Sequence, residues 1–327
     1  MSVAGRNVVV TGGAGFIGSH LVERLVGEGP GSLVVVDDLS TGRAENVAGL
    51  ASVELVKADV CDDAARSAVA DADVVFHLAV RNVRASINRP EENMRVNAMG
   101  TLAVLEAMRA GRRGSFVYVS SSEVYGIPSA AGFSESTVPA PTTVYGAGKL
   151  AGEHVALAYR RVYEMDTRVV RPFNNFGPRS HFEGDSGEVI PKFVLRALAG
   201  RPLHVHGDGS QTRDFMYVED TARWLVRLAF EPALVGETVN IGSGRDVSVL
   251  ELAQRVLELT RSSSEIVHVE ARPGDLPRLV ADTSKISSLV DFRLDVDFEE
   301  GLRRTVEFFA AQDVEALLAD EVERNWT

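Results

Sequence analysis

Short apolar runs and amphipathic segments alternate along the first half of the chain. Between several of the apolar runs, apolar residues recur at helical spacing, as in Ser19–Val26, Pro90–Arg109 and Val144–Tyr163. This alternation predicts a parallel sheet that is covered by helices on both faces. The runs with the length and valine-rich composition of buried strands are Asn7–Thr11, Ser32–Val36, Val53–Lys57, Val74–Leu78, Ser115–Ser120 and Thr167–Val170.

The pattern changes after Arg171. Prolines and glycines predict an irregular segment there, and shorter elements follow it. We therefore predict one domain over residues 1–171 plus about 214–245, and a smaller, discontinuous α/β domain over about 172–213 plus 246–327. The predicted elements after the irregular segment are Val189–Ala199, Leu203–His206, Tyr217–Phe230, Thr238–Ile241, Val249–Thr260, Ser264–Glu270 and Phe298–Phe309.

A glycine-rich turn joins the first predicted strand to the first predicted helix. Gly12, Gly15 and Gly18 lie in this turn, where backbone N–H groups and the positive end of the helix can face an anion. Side chains would block a pyrophosphate or the contact between helix and strand. The second strand leads into Asp37, whose carboxylate can accept from the 2′-hydroxyl of an adenine ribose. This arrangement predicts a Rossmann-type, doubly wound α/β domain that binds a dinucleotide. Asp37 and the adjacent Asp38 favour NAD over NADP, because both would repel a 2′-phosphate.

A tyrosine and a lysine at helical spacing form a second signal. Tyr145 and Lys149 share one face of a predicted helix, and an ammonium group lowers the pKa of a neighbouring phenol. Such a tyrosine can act as a general base toward a sugar hydroxyl. The lysine can hold the ribose of a nicotinamide cofactor. A buried strand that ends in hydroxyls and an acid, at Ser120–Glu123, precedes the pair and favours an active site over a surface pair.

Composition narrows the possible functions. The chain of 327 residues has a formal net charge of −12 and no basic cluster, so we expect no nucleic-acid partner. A single cysteine, Cys61, excludes an internal disulfide framework, and we expect no metal site. No apolar stretch reaches about 18 residues, which predicts no membrane span. The N-terminus enters the first strand without a signal peptide, so we expect a cytoplasmic enzyme.

The sequence resembles the extended short-chain dehydrogenase/reductase superfamily and, within it, the nucleotide-sugar epimerases and dehydratases. The likeness covers nearly the whole chain. Its most specific segments are the glycine turn, the Tyr145/Lys149 pair and two arginine-bearing elements, 207–215 and 272–275. The resemblance implies tightly bound, recycled NAD, a nucleoside-diphosphate sugar as substrate, and a homodimer. It also implies that the smaller domain binds the substrate.

The resemblance further implies roles for individual residues. The implied cofactor-binding residues are Gly12, Gly15, Phe16, Ile17, Gly18, Asp37, Asp38, Asp59, Val60, Leu78, Ala79, Ser120, Tyr145, Lys149 and Pro172. The implied substrate-binding residues are Arg81, Asn174, Val189, Arg213, Arg272 and Asp275. The implied catalytic residues are Ser121, Tyr145 and Lys149, joined by Ser122 and Glu123. Guanidinium groups suit a diphosphate because their paired donors match phosphate oxygens.

The resemblance implies that the enzyme oxidises the C4 hydroxyl of the sugar to a transient 4-keto intermediate and returns the hydride. The fate of this intermediate stays open. Related dTDP-glucose 4,6-dehydratases carry an Asp where this chain has Ser122, which removes a proton donor for the leaving water. Glu123 remains as a candidate base at C5, and UDP-glucuronate decarboxylases share this Ser-Glu pair. A nucleotide-sugar 4-epimerase requires only Ser121, Tyr145 and Lys149, so it is our first expectation. A non-catalytic NAD(H) sensor is the alternative from another class.

Overall fold

Parallel strands form the centre of the protein, in a computed structural model that describes residues 2–126, 132–184, 186–272 and 276–319. The strands are β1 (Asn7–Thr11), β2 (Ser32–Asp37), β3 (Val53–Lys57), β4 (Val74–His77), β5 (Ser115–Val119), β6 (Thr167–Pro172), β7 (Asn174–Phe176), β8 (Leu203–His206), β9 (Thr212–Arg213), β10 (Phe215–Tyr217), β11 (Thr238–Ile241), β12 (Val247–Ser248), β13 (Ile266–Val269) and β14 (Arg278–Leu279). The helices are α1 (Phe16–Val26), α2 (Asp63–Ala70), α3 (Ala85–Asn88), α4 (Pro90–Met94), α5 (Thr101–Ala110), α6 (Val144–Tyr163), α7 (Val189–Leu198), α8 (Val218–Leu228), α9 (Val249–Thr260), α10 (Ser284–Leu289), α11 (Phe298–Ala310) and α12 (Val314–Leu318).

The large sheet contains seven parallel strands in the order β11-β6-β5-β4-β1-β2-β3. Successive side chains of a strand point to opposite faces. Val8 and Val10 of β1 therefore pack under α1 and α8, whereas Val9 packs with residues of α2, α5 and α6. The predicted doubly wound α/β fold is confirmed. The strand order reverses between β1 and β4, and ligands of such sheets bind outside the carboxyl ends of the strands at that point.

The second half of the chain contributes three small sheets, β10-β7, β12-β9-β14 and β13-β8. A separate apolar cluster joins them to α7, α9 and α11, with Phe193, Leu252 and Leu302 among its buried members. This cluster supplies a core for the later elements. The predicted domain boundaries themselves remain a prediction.

Several element boundaries differ from the predicted ones. Helix α1 begins at Phe16 rather than Ser19, because Gly18 lies inside its first turn instead of before it. The predicted helix 90–109 is interrupted by a π-helical turn, Arg95–Gly100, between α4 and α5. Helix α2 was not predicted. It buries only Ala65 and Val69, so its apolar pattern is weak.

Two further expectations concern membranes and metals. Among the described helices, none has the length and apolar composition that a membrane crossing requires. Within the same residues, no group of three His, Cys, Asp or Glu side chains is arranged to hold a metal ion.

Candidate active site

A cleft of about 620 Å³ opens at the carboxyl ends of the central strands. The structure brings nearly all the sequence-predicted site residues to it. The predicted residues that line the cleft are Gly12, Gly15, Phe16, Ile17, Gly18, Asp37, Asp38, Asp59, Val60, Leu78, Ala79, Arg81, Ser120, Ser121, Ser122, Glu123, Tyr145, Lys149, Pro172, Asn174, Val189, Arg213 and Arg272. Asp275 lies outside the described residues. The individual roles of these residues remain predictions.

The glycine turn is packed against backbone, both its own and that of the segment that follows β4. Gly12 has a φ of +72°, and a Cβ there would lie 2.7 Å from the backbone nitrogen of Ala79. A Cβ on Gly18 would lie 2.1 Å from the carbonyl oxygen of Gly12. The turn therefore needs glycine for helix–strand contact. It leaves Gly15 at the N-cap of α1, with the N-terminal end of the helix at the cleft.

Replacing Gly18 by Ala is expected to lower the free energy of unfolding by about 3 kcal/mol and to weaken NAD binding, because overpacking displaces the turn. The matched control is Gly27→Ala at the C-cap of the same helix. Gly27 has a φ of −65°, and its Cβ would meet its nearest neighbour at 3.4 Å. Urea unfolding and NAD titration would measure both effects. If the two variants have the same free energy of unfolding and the same NAD affinity, close packing at Gly18 is not what the turn requires.

Acidic residues after β2 lie at one end of the cleft. The Asp37 carboxylate accepts from the N–H groups of Ala14 (3.0 Å) and Leu39 (2.9 Å), and burial raises its pKa. Burial has the same tendency at Asp38, but hydrogen bonds from Arg81 and Ser40 bring the pKa of that carboxyl below its usual value. The two carboxylates thus have different surroundings. Asp37 is held by two backbone N–H groups, whereas Asp38 is held by one, from Ser40, and by the Arg81 guanidinium group.

Arg81 lies beside these acids. Its guanidinium group pairs with Asp38 and Glu92, each at 2.6 Å. We predicted that Arg81 binds substrate, and the structure places it beside Asp38, a predicted cofactor residue, so its role stays a prediction. Asp59, another predicted cofactor residue, is bound by Arg95 at 2.6 Å, and this hydrogen bond lowers the pKa of Asp59.

The first turn of α6 positions the predicted catalytic tyrosine. Thr143 caps the helix by accepting from the N–H of Gly146 at 3.0 Å. The Ser121 side chain acts on the Tyr145 phenol and lowers its pKa. Burial nevertheless raises the pKa of Tyr145 to about 12, and the negative charges of Glu123 and Glu188 act in the same direction. The predicted lowering of this pKa is not found, because burial and the two carboxylates raise the pKa by more than Ser121 lowers it.

Lys149 lies one turn further along α6 and is only 3% exposed. Its ammonium group donates to the carbonyl oxygen of Val119 at 2.8 Å and lies 5.1 Å from the centre of the Tyr118 ring. Burial lowers the pKa of Lys149 to about 7, against the opposing charge of Glu153. The side chain is therefore held in place by strand β5, at the cleft.

A buried ion pair beneath the cleft was not predicted. Arg171 donates to both carboxylate oxygens of Glu153, at 2.8 and 2.6 Å, and the side chains are 6% and 2% exposed. Ser120 donates its hydroxyl to the same carboxylate. Arg171 also lies 4.8 Å above the Tyr125 ring. The sequence-predicted cofactor residue Ser120 thus belongs to a network that joins β5, α6 and β6. Ser122, the other serine nearby, is buried at the start of a 3₁₀ turn.

The opposite end of the cleft carries the predicted diphosphate-binding residues. Arg213 donates to the carbonyl oxygens of Thr212 (2.8 Å) and Leu276 (2.7 Å). The side-chain Nδ2 of Asn174 is buried and has no hydrogen-bond partner among the described residues. A buried amide donor without a partner is costly unless a ligand accepts from it, so its chemistry fits phosphate oxygens. Arg272 lines the same region.

The cleft also contains a carboxylate that sequence reasoning missed. Glu188 immediately precedes α7, and burial raises its pKa to about 7. We predicted a role for the next residue, Val189, but not for Glu188. A charged residue beside an apolar helical run gave no signal of its own, since only folding brings it near Tyr145.

These features fit a dinucleotide. The N-terminal end of α1 can face a pyrophosphate, the Asp37 carboxylate can accept from ribose hydroxyls, and Lys149 can reach the second ribose. With the hydroxyl pair of Ser121 and Tyr145, they define the class of nicotinamide-dependent enzymes of short-chain dehydrogenase type.

The chain belongs to the NAD-dependent epimerase/dehydratase family, whose model matches residues 8–242. Its cofactor is therefore NAD. The chain is 38% identical over 308 residues to a UDP-glucose 4-epimerase of Mycolicibacterium smegmatis, with 92% of this chain and 97% of the relative covered. It is also 38% identical over 315 residues to a dTDP-glucose 4,6-dehydratase of Streptomyces niveus, with 92% of each covered. A solved epimerase of Methanothermobacter thermautotrophicus has a TM-score of 0.91 at 35% identity, covering 98% of this chain and 96% of that one.

Proposed function

We propose that the protein is a nucleotide-sugar 4-epimerase that acts on a UDP-hexose. The observation that carries this proposal is that Ser121, Tyr145 and Lys149 line one cleft, with Lys149 one helical turn from Tyr145. These three residues suffice to remove and return the proton of a sugar hydroxyl. The similarity to UDP-glucose 4-epimerase supports the same reaction.

In this mechanism, Tyr145 takes the proton of the C4 hydroxyl while Ser121 holds the oxygen. When bound, NAD would supply the hydride acceptor for C4, and the NADH formed would return the hydride to the opposite face of the 4-keto sugar. Because the pKa of Tyr145 is raised to about 12, the phenol needs a positive charge nearby to ionise at neutral pH. Lys149 is held at the cleft by Val119, where it can orient the cofactor ribose.

The diphosphate of the substrate would be bound by Asn174, Arg213 and Arg272. The buried, unpartnered Nδ2 of Asn174 supports this role, since a phosphate oxygen would satisfy it. Val189, at the start of α7, would contact the nucleotide sugar alongside them.

A 4,6-dehydratase is the second candidate, and one observation favours it. Glu123 lines the cleft together with Tyr145, and its charge acts on the Tyr145 phenol. Glu123 is thus a candidate for removing the C5 proton. Position 122 argues against a dehydratase, because the Ser122 side chain is not an acid that could protonate the leaving water. The similarity to a dTDP-glucose 4,6-dehydratase keeps this reaction as the alternative.

The test is to incubate the NAD-loaded protein in deuterated water with UDP-glucose, UDP-N-acetylglucosamine, UDP-glucuronate and dTDP-glucose, separately. We expect a C4 stereoisomer of unchanged mass without deuterium at C5, observed by NMR and mass spectrometry. Loss of water, with deuterium at C5, would replace the epimerase by the dehydratase. Loss of carbon dioxide from UDP-glucuronate would identify a decarboxylase.

We also propose that the protein is a homodimer. Apolar side chains are exposed on the π-helical turn and on α6, where Met99 is 56% and Val162 is 67% exposed. Burial of such side chains against a second copy is favourable. Light scattering that gives the mass of one chain would contradict this proposal.

A further inference from the structure

A segment between β7 and α7 forms one wall of the cleft and is not used by the proposed mechanism. This segment, residues 178–184 and 186–188, is called the strap below. His181 and Glu188 of the strap line the cleft, and Val189 continues the lining at the start of α7. The contacts of the strap with the rest of the molecule show what it can do there.

The first residues of the strap are bound to helix α1. His20 donates from Nε2 to the carbonyl oxygen of Pro178 at 2.9 Å. Arg179 donates to both carboxylate oxygens of Glu23, at 2.8 and 2.7 Å. His20 and Glu23 are three residues apart and therefore share one face of α1. The strap begins on that face.

The strap next reaches the N-terminal end of α1. The ring of His181 packs edge-on against Phe16, with the ring centres 6.4 Å apart. Phe16 is in the first turn of α1, and it lines the cleft together with Gly15 and His181. This end of the helix is the one that can face a pyrophosphate. The strap thus passes beside the predicted position of the cofactor diphosphate.

Further along, the strap contacts the loops that follow β2 and β4. Glu183 forms an ion pair with Arg43, whose backbone N–H donates to the carbonyl oxygen of Ala14 in the glycine turn at 3.0 Å. Asn82 lines the cleft after β4 and donates from Nδ2 to the Ser186 hydroxyl at 2.7 Å. The strap is therefore attached on the β1 side and on the β4 side of the point where the strand order reverses.

These attachments place the strap across the crevice in which a dinucleotide binds, because ligands of such sheets lie at the strand-order reversal. The attachments are side-chain hydrogen bonds and ion pairs. The side chains of Glu23 and Arg43 are 45% and 51% exposed, so water can replace their partners at small cost. The strap can therefore detach while the apolar cores on either side stay folded.

We propose that the strap is a gate for the cofactor, and that NAD enters and leaves only when the contacts of the strap with α1 and Asn82 are broken. Such a gate keeps the reduced cofactor in place between removal of the hydride and its return. The inference concerns NAD, the cofactor of the family, and not the sugar. It applies to a 4-epimerase and to a dehydratase alike, so it stands even if the proposed reaction is wrong.

A gate has a kinetic signature that a direct contact with the cofactor lacks. Weaker attachments increase the fraction of time for which the strap is open. Association and dissociation of the cofactor then become faster by the same factor, and the Kd does not change. Loss of a side chain that contacts the cofactor acts mainly on the dissociation rate and so raises the Kd.

The experiment measures NADH binding by stopped-flow fluorescence, with cofactor-free protein for association and an excess of NAD to displace bound NADH for dissociation. Glu23→Ala removes the ion pair with Arg179, and Ser186→Ala removes the acceptor of Asn82. Among the described residues, neither Glu23 nor Ser186 is part of the cleft lining. Each variant should raise both rates about threefold and the double variant about tenfold, at unchanged Kd.

The matched control is Glu28→Ala, which removes an ion pair with Arg24 on the surface of the same helix and should leave both rates unchanged. Wild-type rates in the double variant would overturn the gate. Faster dissociation without faster association would also overturn it, because the strap would then only hold bound cofactor. Since Glu23→Ala and Ser186→Ala act at opposite ends of the strap, either variant decides the question if circular dichroism shows that the other is misfolded.

Discussion

Replacing Tyr145 by Phe is expected to lower kcat for the nucleotide sugar about 1,000-fold while NAD remains bound, since general base catalysis contributes factors of this order. Tyr145 lines the cleft together with Ser121, and Phe keeps the ring while removing the proton acceptor. Wild-type activity should rise with pH, because the phenol must lose its proton to act. The residual activity of Tyr145→Phe should not rise with pH in this way.

Steady-state assays and NAD titration of the same preparations would measure these effects. The control is Tyr163→Phe, which removes a hydroxyl from the other end of α6, where Tyr163 is 39% exposed. Normal kcat in Tyr145→Phe would exclude the proposed mechanism. A wild-type protein that binds NAD but shows no turnover would instead favour a non-catalytic NAD(H) sensor, and Tyr145→Phe would then leave its NAD binding unchanged.

Replacing Arg171 by Met is expected to lower the free energy of unfolding by about 3–5 kcal/mol, because it leaves the Glu153 carboxylate buried without its partner. Glu153 is 2% exposed, so water cannot replace the two lost hydrogen bonds. The double variant Arg171→Met with Glu153→Leu removes both charges and should regain most of this loss, since a buried ion pair is often no better than apolar packing.

Urea unfolding of the wild type, the two single variants and the double variant forms a double-mutant cycle, which gives the interaction energy between Arg171 and Glu153. Arg24→Met is the control, because its ion pair with Glu28 lies on the surface of α1, with Arg24 49% exposed, and should contribute little. A double variant that is less stable than either single variant would show that the pair itself stabilises the fold. Since Ser120 donates to Glu153, the same variants should also disturb the cleft.

The sequence was sufficient to predict the central sheet and the main helices. Strand β1 is buried along most of its length and appears as an apolar run, so it has the predicted bounds. The edge strand β3 also has the predicted bounds, although its side chains are half-buried or exposed. Helices α6 and α9 also match, because each has a side chain that caps its start, Thr143 and Ser248. The two-residue strands β9, β12 and β14 were missed, since such short pairings leave no periodic pattern.

The glycine turn, Asp37 and the Tyr145/Lys149 pair were determined by the sequence itself, because neighbours in the chain and a strand-to-helix turn set their relations. Only the tertiary structure decided the electrostatics of the cleft. Burial raises the pKa of Tyr145, and Glu188, distant in the chain, adds its charge to that phenol. The pairing of Glu153 with Arg171 likewise joins a helix to a strand. Burial and the distances between charges depend on how separate elements pack, and a pattern along the chain carries no measure of either.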